Sequence, residues 1–299
     1  MTVGGQLCRR VRGRGQHYAA WRGAAEAVAT RLYVHDWPAR VWARVPGACD
    51  VRTVARTLAV LPSGAPPLRI GFASDLHIGP TTPRALLERA FDTLAAARLD
   101  VLALGGDYVF LDATERSASI LADLVRRVPA RVKVAVLGNH DLWTDHPRLE
   151  RALADEGVRV LVNEGVYLPE PHGGVYLAGL DDPWTGAPDA ARAFDGGAAA
   201  RVRIAVVHSP DGVPMIEDRG VDLVIAGHTH GGQVALPGGA PLWVPGPLGP
   251  AYPSGFFTLR DGAVLFVSRG LGGVEIPVRL HAPPDVGVLT LEARGAPRE

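Results

Sequence analysis

Short polar motifs that directly follow short apolar runs constrain the fold more than any other feature of this sequence. The apolar runs cover residues 68–73, 101–104, 132–137, 204–207 and 223–226. Runs of this length with amphipathic stretches between them are typical of strands that alternate with helices. The sequence therefore predicts an α/β core whose polar side chains gather at the carboxyl ends of strands, where open α/β sheets bind ligands.

The same pattern predicts further strands and helices. Strands are expected at residues 158–162, 175–180, 263–267 and 286–291. Helices are expected at residues 19–32, 83–97 and 118–128, the last two from apolar residues at helical spacing. A hydrophobic content of 47% is sufficient for a sizeable buried core. A disordered chain is therefore excluded.

The chain divides into an arm and one larger domain. Gly and Pro concentrate at residues 61–67, which we interpret as a linker, and at residues 237–253, which we interpret as a long loop. We expect a partly helical, basic arm at residues 1–60 and a single domain of layered sheets at residues 61–299.

The charges balance over the whole chain but not in the arm. There are 31 Lys and Arg against 31 Asp and Glu, so no global positive field favours nucleic acid. The arm is rich in arginine, and its only acids are Glu26, Asp36 and Asp50. Such an arm can contact an anionic membrane surface peripherally, or it can pack against the core, which is the simpler interpretation.

The arm also contains the residues that bear on localisation. The only cysteines are Cys8 and Cys49, so no disulfide framework is expected. Arg9 and Arg10 match the start of a twin-arginine export signal, but no continuous apolar region follows them. No stretch of about 18 apolar residues is present to span a bilayer. We expect a cytoplasmic protein, with peripheral membrane contact through the arm as the alternative.

The polar motifs contain residue types that bind divalent cations. They are Asp75-Leu76-His77, Gly106-Asp107, Gly138-Asn139-His140-Asp141, His208 and Gly227-His228-Thr229-His230. Imidazole and carboxylate groups suit borderline and hard cations, and residues at i and i+2 can converge on one ion. Asp107 stands alone after its strand, as expected for a carboxylate that bridges two cations. Each motif alone has an ordinary explanation as a turn, a helix cap or an exposed histidine, so the metal interpretation rests on their joint occurrence.

In this order, the motifs D-x-H, G-D, G-N-H-D, H and G-H-T-H resemble those of the calcineurin-like metallophosphoesterase superfamily, from about residue 68 onward. The segments GHTHGGQ, SRGLGG and IPVRL resemble its bacterial phosphodiesterase branch, which includes peripheral membrane proteins. The resemblance implies a four-layer α/β/β/α sandwich. It also implies a hydrolase in which two divalent cations activate the water that attacks a phosphoester.

The resemblance assigns a role to each motif residue. Seven are implied to be metal ligands, shared between two cations: Asp75, His77 and His230 for the first, Asn139, His208 and His228 for the second, and Asp107 for both. His140 would donate a proton to the leaving group or stabilise developing charge, and Asp141 would orient it. Mixed nitrogen and oxygen ligation accommodates manganese, iron or zinc, and the sequence does not choose between them.

Other functions fit only parts of the pattern. A non-catalytic, protein-binding scaffold that retains the fold would tolerate loss of ligands, whereas this chain keeps the whole set. A metallohydrolase of carbon esters or lactams would need a string such as H-x-H-x-D-H, which is absent. The preferred substrate is a phosphodiester, small or lipid-linked. No specific nucleic acid partner is predicted, because no basic channel is evident in the core.

Several polar residues outside the motifs are interpreted as structural. Asp181 and Asp182 are expected to form a turn before Pro183 rather than to reach the site. Arg269 is expected to brace its own loop, and His146 to begin or cap a helix. Aromatic residues near the long loop are expected to form a lid or an apolar wall: Trp243, Tyr252, Phe256 and Phe257.

Overall fold

The computed structural model describes residues 13–295 of the chain. Cys8, Arg9 and Arg10, which bear on the expectations about disulfides and export, lie outside these residues. The strands in the described part are β1 Arg52–Leu61, β2 Leu68–Ala73, β3 Val101–Leu104, β4 Val132–Ala135, β5 Val158–Val160, β6 Glu164–Tyr167, β7 Val175–Gly179, β8 Val202–Val206, β9 Leu223–Ala226, β10 Gly255–Thr258, β11 Val264–Val267 and β12 Asp285–Ala293.

The described part of the chain contains eight α-helices. They are α1 Ala20–Leu32, α2 Trp37–Trp42, α3 Arg84–Ala96, α4 Glu115–Arg126, α5 Asn139–Leu142, α6 His146–Asp155, α7 Ala190–Asp195 and α8 Val213–Ile216. At the start of α4, the Thr114 hydroxyl accepts from the Ser117 N–H at 3.1 Å, and the Ser117 hydroxyl accepts from the Thr114 N–H at 2.8 Å. This reciprocal cap satisfies two N–H groups that the helix itself leaves without partners.

The strands form two six-stranded mixed sheets. The first has the order β1-β12-β2-β3-β4-β5, and the second has the order β10-β11-β9-β8-β7-β6. Strands β2 to β5 are mutually parallel, as are β7, β8, β9 and β11. Each parallel group therefore brings its carboxyl ends to one edge of its sheet, and the polar motifs follow those ends.

Three apolar layers separate four layers of secondary structure. The two sheets pack face to face through side chains that include Phe72, Ile204 and Phe266. A second apolar cluster lies between the first sheet and helices α3, α4 and α6, and a third lies between the second sheet and helices α7 and α8. The expected α/β/β/α sandwich is confirmed.

Strands β1, β6 and β10 are absent from the sequence-based prediction. Strand β1 lies in the basic segment assigned to the arm, and it pairs in parallel with β12 as an edge strand. Its side chains are mostly exposed, so the apolar signal is weak. The expectation that Phe256 and Phe257 line the long loop is wrong, because both belong to β10. Phe256 stacks on Phe266 with 4.8 Å between the ring centroids.

The described part of the arm packs on the core. The Gly15 N–H donates to the Leu142 carbonyl at 2.9 Å, and the Gln16 N–H donates to the Thr185 carbonyl at 2.8 Å. Further along, the Ala39 N–H donates to the Pro80 carbonyl. These contacts come from the start and the middle of the arm and tie it to segments close in sequence to the polar motifs. None of the helices between residues 13 and 295 is long and apolar enough to cross a membrane.

An ion pair fixes the start of the described arm. Arg14 Nη2 donates to Asp181 Oδ1 at 2.7 Å, and Asp181 is 2% exposed. Burial opposes ionisation of Asp181, but the hydrogen bonds from Arg14 and from the Ala187 N–H lower its pKa. The pair is partly screened, because the Arg14 side chain is 35% exposed.

We expect Asp181→Asn to lower the free energy of unfolding by about 1 kcal/mol at neutral pH. The folded-state pKa is depressed, so the contribution is fully present above the unfolded pKa of about 3.9 and is lost as pH falls through the folded value. Urea unfolding of both proteins at pH 7 and pH 5 should therefore give the same difference. A difference that is lost already at pH 5 would contradict this assignment.

Candidate metal centre

The polar motifs from both sheets meet in one buried cluster. Their side chains follow β2, β3 and β4 in the first sheet and β8 and β9 in the second. Each is at most 6% exposed. The structure brings together all the predicted ligands and the neighbouring histidine: Asp75, His77, Asp107, Asn139, His140, His208, His228 and His230.

The backbone turns sharply at most of these positions. Left-handed conformations, with φ between 43° and 70°, are adopted by Asp75, His77, Asp107, His228 and His230. L-residues with side chains seldom adopt this conformation, which costs free energy and is concentrated at functional sites. The strained turns direct consecutive motif residues into the same space beyond the strand ends.

A first group of ligands contains Asp75, His77 and His230. His77 Nε2 lies 3.2 Å from His230 Nε2, and His230 Nε2 lies 3.5 Å from Asp75 Oδ1. The His77 and His230 rings are stacked, with 5.0 Å between their centroids. Three ligand atoms therefore converge within the reach of one cation.

A second group contains Asn139, His208 and His228, and Asp107 connects the two groups. His208 Nε2 lies 3.2 Å from Asn139 Oδ1 and 3.1 Å from His228 Nδ1. Asp107 Oδ2 lies 3.3 Å from His208 Nε2 and 3.7 Å from His77 Nε2. The Asp107 carboxylate thus lies between both groups.

The cluster fits divalent cations. Metal–ligand distances of about 2.0–2.2 Å place neighbouring ligand atoms roughly 3.0–3.5 Å apart, as found in both groups. The nitrogen atoms that converge are His77 Nε2 and His230 Nε2 in the first group and His208 Nε2 and His228 Nδ1 in the second. Imidazole, carboxylate and amide oxygen together suit manganese, iron or zinc.

Burial and neighbouring charges set the protonation of the cluster. Burial opposes protonation of His208, but Asp107 beside it raises its pKa well above the ordinary value, so a bound cation would replace a proton there. Burial lowers the pKa of His77 to about 4 and that of His228 to about 3, so both imidazoles are neutral at pH 7 and keep lone pairs. Burial opposes ionisation of Asp107, but His208 and His140 beside it lower its pKa well below the ordinary value. Burial raises the pKa of Asp75 to about 6, which still leaves it mainly ionised at neutral pH.

Hydrogen bonds outside the cluster orient its members. His208 Nδ1–H donates to the Gly105 carbonyl at 2.8 Å, which directs Nε2 towards Asn139, His228 and Asp107. Asp141, expected to orient the His140 side chain, accepts from the backbone N–H groups of Asp107 and Tyr108, each at 2.8 Å, and of Gly138 at 3.0 Å. It therefore holds the loops that follow β3 and β4 together.

The ring of His140 is held by groups that sequence reasoning missed. Its Nδ1 lies 3.0 Å from the Phe110 carbonyl, and its Nε2 lies 2.7 Å from Arg22 Nη2. Arg279 Nη2 lies 3.0 Å from His230 Nδ1. Arg279 occurs in the IPVRL segment that the sequence analysis singled out, so a signal for it existed. Nothing in one sequence distinguishes Arg22 from the other arginines of the arm.

The polar residues interpreted as structural behave as expected. Asp182 Oδ2 accepts from the Thr185 N–H at 2.6 Å and closes a turn. Arg269 Nη1 donates to Asp285 Oδ2 at 3.1 Å and braces its loop. His146 begins α6. Asp182 is bound within its own turn, whereas Arg269 ties its loop to the start of β12. Neither belongs to the cluster of predicted ligands.

A four-layer sandwich with buried imidazoles and carboxylates at its strand ends suits a metal-dependent hydrolase. The sequence profile of the calcineurin-like phosphoesterases matches residues 68–232. Phosphodiesterase YaeI of Escherichia coli is 29% identical over 248 residues, which cover 80% of this chain and 87% of YaeI. A metallophosphoesterase of Aquifex aeolicus is 30% identical over 245 residues, covering 79% of this chain and 88% of that protein.

Among solved structures, TT1561 of Thermus thermophilus is 15% identical, with a TM-score of 0.46, and the match covers 68% of this chain and 90% of that protein. The chain belongs to the calcineurin-like phosphoesterase family. Its activity is metal-dependent hydrolysis of phosphoesters.

Substitution of Gly138 tests whether the predicted metal ligands Asp107 and His208 need the close approach of the backbone at this position. A Cβ at this position would lie 2.2 Å from Asp107 Oδ1 and 2.7 Å from His208 Cε1. We expect Gly138→Ala to displace both ligands and to weaken manganese binding about 10- to 100-fold. Isothermal titration calorimetry measures the affinity, and circular dichroism checks the fold.

Gly174→Ala is the matched control, because its Cβ would meet Arg201 at an ordinary 3.5 Å. It should bind manganese as the parent protein does. Unchanged affinity in a folded Gly138→Ala protein would show that the ligands do not need this close approach.

Proposed function

We propose that this protein hydrolyses phosphodiesters with two divalent cations held between the carboxyl ends of its two sheets. Asp107 supports the proposal most directly, because its Oδ2 atom lies 3.7 Å from His77 Nε2 in one ligand group and 3.3 Å from His208 Nε2 in the other. A carboxylate shared in this way suits a two-metal site.

In the proposed site, each cation has its own group of ligands. Asp75, His77 and His230 hold the first, Asn139, His208 and His228 hold the second, and Asp107 bridges them. The cations are manganese, iron or zinc. When bound, such cations supply an activated water and neutralise the charge that develops on the phosphoryl oxygens. The protein supplies rigid ligand positions and a buried environment.

His140 acts on the leaving group in this proposal. Its Nδ1–H donates to the Phe110 carbonyl, which fixes the ring and leaves Nε2 facing the guanidinium of Arg22. Its backbone N–H donates to Asp107 Oδ1 at 2.8 Å, so the backbone of His140 is tied to the proposed bridging carboxylate. With Nδ1 protonated, the neutral ring holds a lone pair at Nε2. In the proposed step, Nε2 first takes up the proton that the attacking water releases and then gives it to the leaving oxygen.

A diester with an apolar group is the preferred substrate. The similar protein YaeI is named a phosphodiesterase. Trp21 and Trp243 are each 71% exposed. Trp21 is next to Arg22, and the Trp243 carbonyl lies against Gly232, two residues after His230. Exposed aromatic residues next to Arg22 in sequence and next to Gly232 in space suit a lipid-linked substrate and peripheral contact with a membrane.

Membrane contact is tested with vesicles that contain anionic phospholipid. We expect Trp21→Ser combined with Trp243→Ser to weaken sedimentation with the vesicles about tenfold or more, because two large apolar side chains no longer insert. Met215→Ser is the control, since Met215 is 40% exposed on α8. Equal sedimentation of all three proteins would remove the case for membrane contact.

The activity is tested with protein reconstituted with manganese, iron or zinc. We expect two cations per chain and faster hydrolysis of bis-p-nitrophenyl phosphate than of p-nitrophenyl phosphate. His140→Ala should keep both cations and lose about 10²- to 10⁴-fold in kcat. Preference for the monoester would refute the diester assignment, and an unchanged kcat would refute the role of His140.

The alternative is a scaffold that keeps the fold without catalysis. The same experiment distinguishes it, because a scaffold would bind cations and turn over neither ester nor any phospholipid-derived diester. The complete ligand set and the well-held His140 ring favour the enzyme.

A further inference from the structure

Helix α1 of the arm places the guanidinium of Arg22 against His140, beside the candidate metal centre. Arg22 Nη2 lies 2.7 Å from His140 Nε2, and the Arg22 side chain is 12% exposed. No motif of the family includes this residue, and it lies outside the region that the family profile matches. A contact at this ring nitrogen is significant because Nε2 is the atom that the proposed function directs at the substrate.

Arg22 is held in place by Glu26 on its own helix α1 and by Trp143 of the core. Its Nε donates to Glu26 Oε1 at 3.1 Å, and the Tyr18 hydroxyl donates to Glu26 Oε2 at 2.8 Å. The guanidinium lies over the ring of Trp143, 4.5 Å from its centroid. A guanidinium that is fixed in this way has already lost most of its conformational freedom before a ligand arrives.

Donor capacity remains after these contacts. A guanidinium has five N–H groups in a planar fork that matches phosphate oxygens. Nε binds Glu26 and Nη2 binds His140, whereas Nη1 donates to none of the residues between positions 13 and 295. The next carboxylate, Glu275, lies 3.8 Å from Nη2. Arg22 can therefore donate to an anion without leaving Glu26.

Docking of the arm does not require this contact. Arg14, Gly15, Gln16 and Ala39 already tie the arm to the core. A fixed positive charge beside a site for two cations opposes their binding, which is a cost for a purely structural residue. An anion between the guanidinium and the cations removes that cost. The position of Arg22 thus suits a state with a bound phosphoryl group.

We propose that Arg22 is a substrate-binding residue, whose guanidinium donates to a non-bridging oxygen of the phosphoryl group. The inference rests on the proposed function, which places that group at His140 Nε2. An oxygen at hydrogen-bond distance from Nε2 is within reach of Nη2, given the 2.7 Å between the two nitrogens. The arm thereby completes the active site of the catalytic domain.

The test uses the manganese-loaded, full-length chain with orthophosphate as the probe. Arg22→Gln should raise the dissociation constant of orthophosphate, measured by calorimetry, about 10- to 100-fold, because it removes a charge-assisted hydrogen bond. The KM for bis-p-nitrophenyl phosphate should rise as well. Arg22→Lys keeps the charge but not the fork and should be intermediate. Manganese content should stay at the level of the parent protein.

Arg31→Gln is the matched control, since Arg31 is exposed on the same helix. It should bind orthophosphate as the parent does. The same Arg22 variants are also compared in a His140→Ala background. Direct binding predicts that Arg22→Gln still weakens orthophosphate there, whereas a residue that only positions His140 would have no further effect.

Two results would overturn the inference. One is an unchanged orthophosphate affinity in folded, metal-loaded Arg22→Gln. The other is a faster turnover in that variant, because this would mean that the Arg22 guanidinium blocks the substrate site and must move away before the substrate binds. Failure of the proposed function would be seen in the parent protein itself, which would then bind no cations or fail to hydrolyse the diester. The orthophosphate measurement does not depend on turnover.

Discussion

A dense group of imidazoles and carboxylates is buried where the two sheets meet, and the rest of the structure depends on keeping it there. Such groups lose their hydration on burial, and each costs free energy unless a cation or a hydrogen bond satisfies it. The three apolar layers hold the strands that carry them. Left-handed turns at five ligand positions add further strain. Stability from the core therefore offsets a centre that is unfavourable without its cations.

The sequence predicts the centre well because its residues lie in short motifs after strands. Asp75 and Asp107 could be placed at one edge, since both follow neighbouring parallel strands whose carboxyl ends meet there. The order of the motifs then identifies the family. Local patterns also predict α3 and α4, where apolar residues recur at helical spacing.

The hydrogen bonds that hold the side chains and loops of the candidate metal centre in place could not be predicted in this way. Asp141 binds the backbone of Asp107 and Tyr108 rather than the His140 ring, and this choice depends on how two loops approach each other. Arg22 reaches His140 across 118 positions of the chain. Strand β1 carries few buried side chains and takes its place only through pairing with β12. Each of these features arises from tertiary packing, for which a single sequence has no local signal.

The position of β12 bears on how the protein is made. This strand lies between β1 and β2 in the first sheet, although it follows them by about two hundred positions in the chain. A nascent chain on the ribosome cannot complete the sheet until residues 285–293 have emerged. The second sheet, whose strands are all encoded earlier, can form before then. The edge strand β1 can join only afterwards, so late synthesis and closure of the first sheet are coupled.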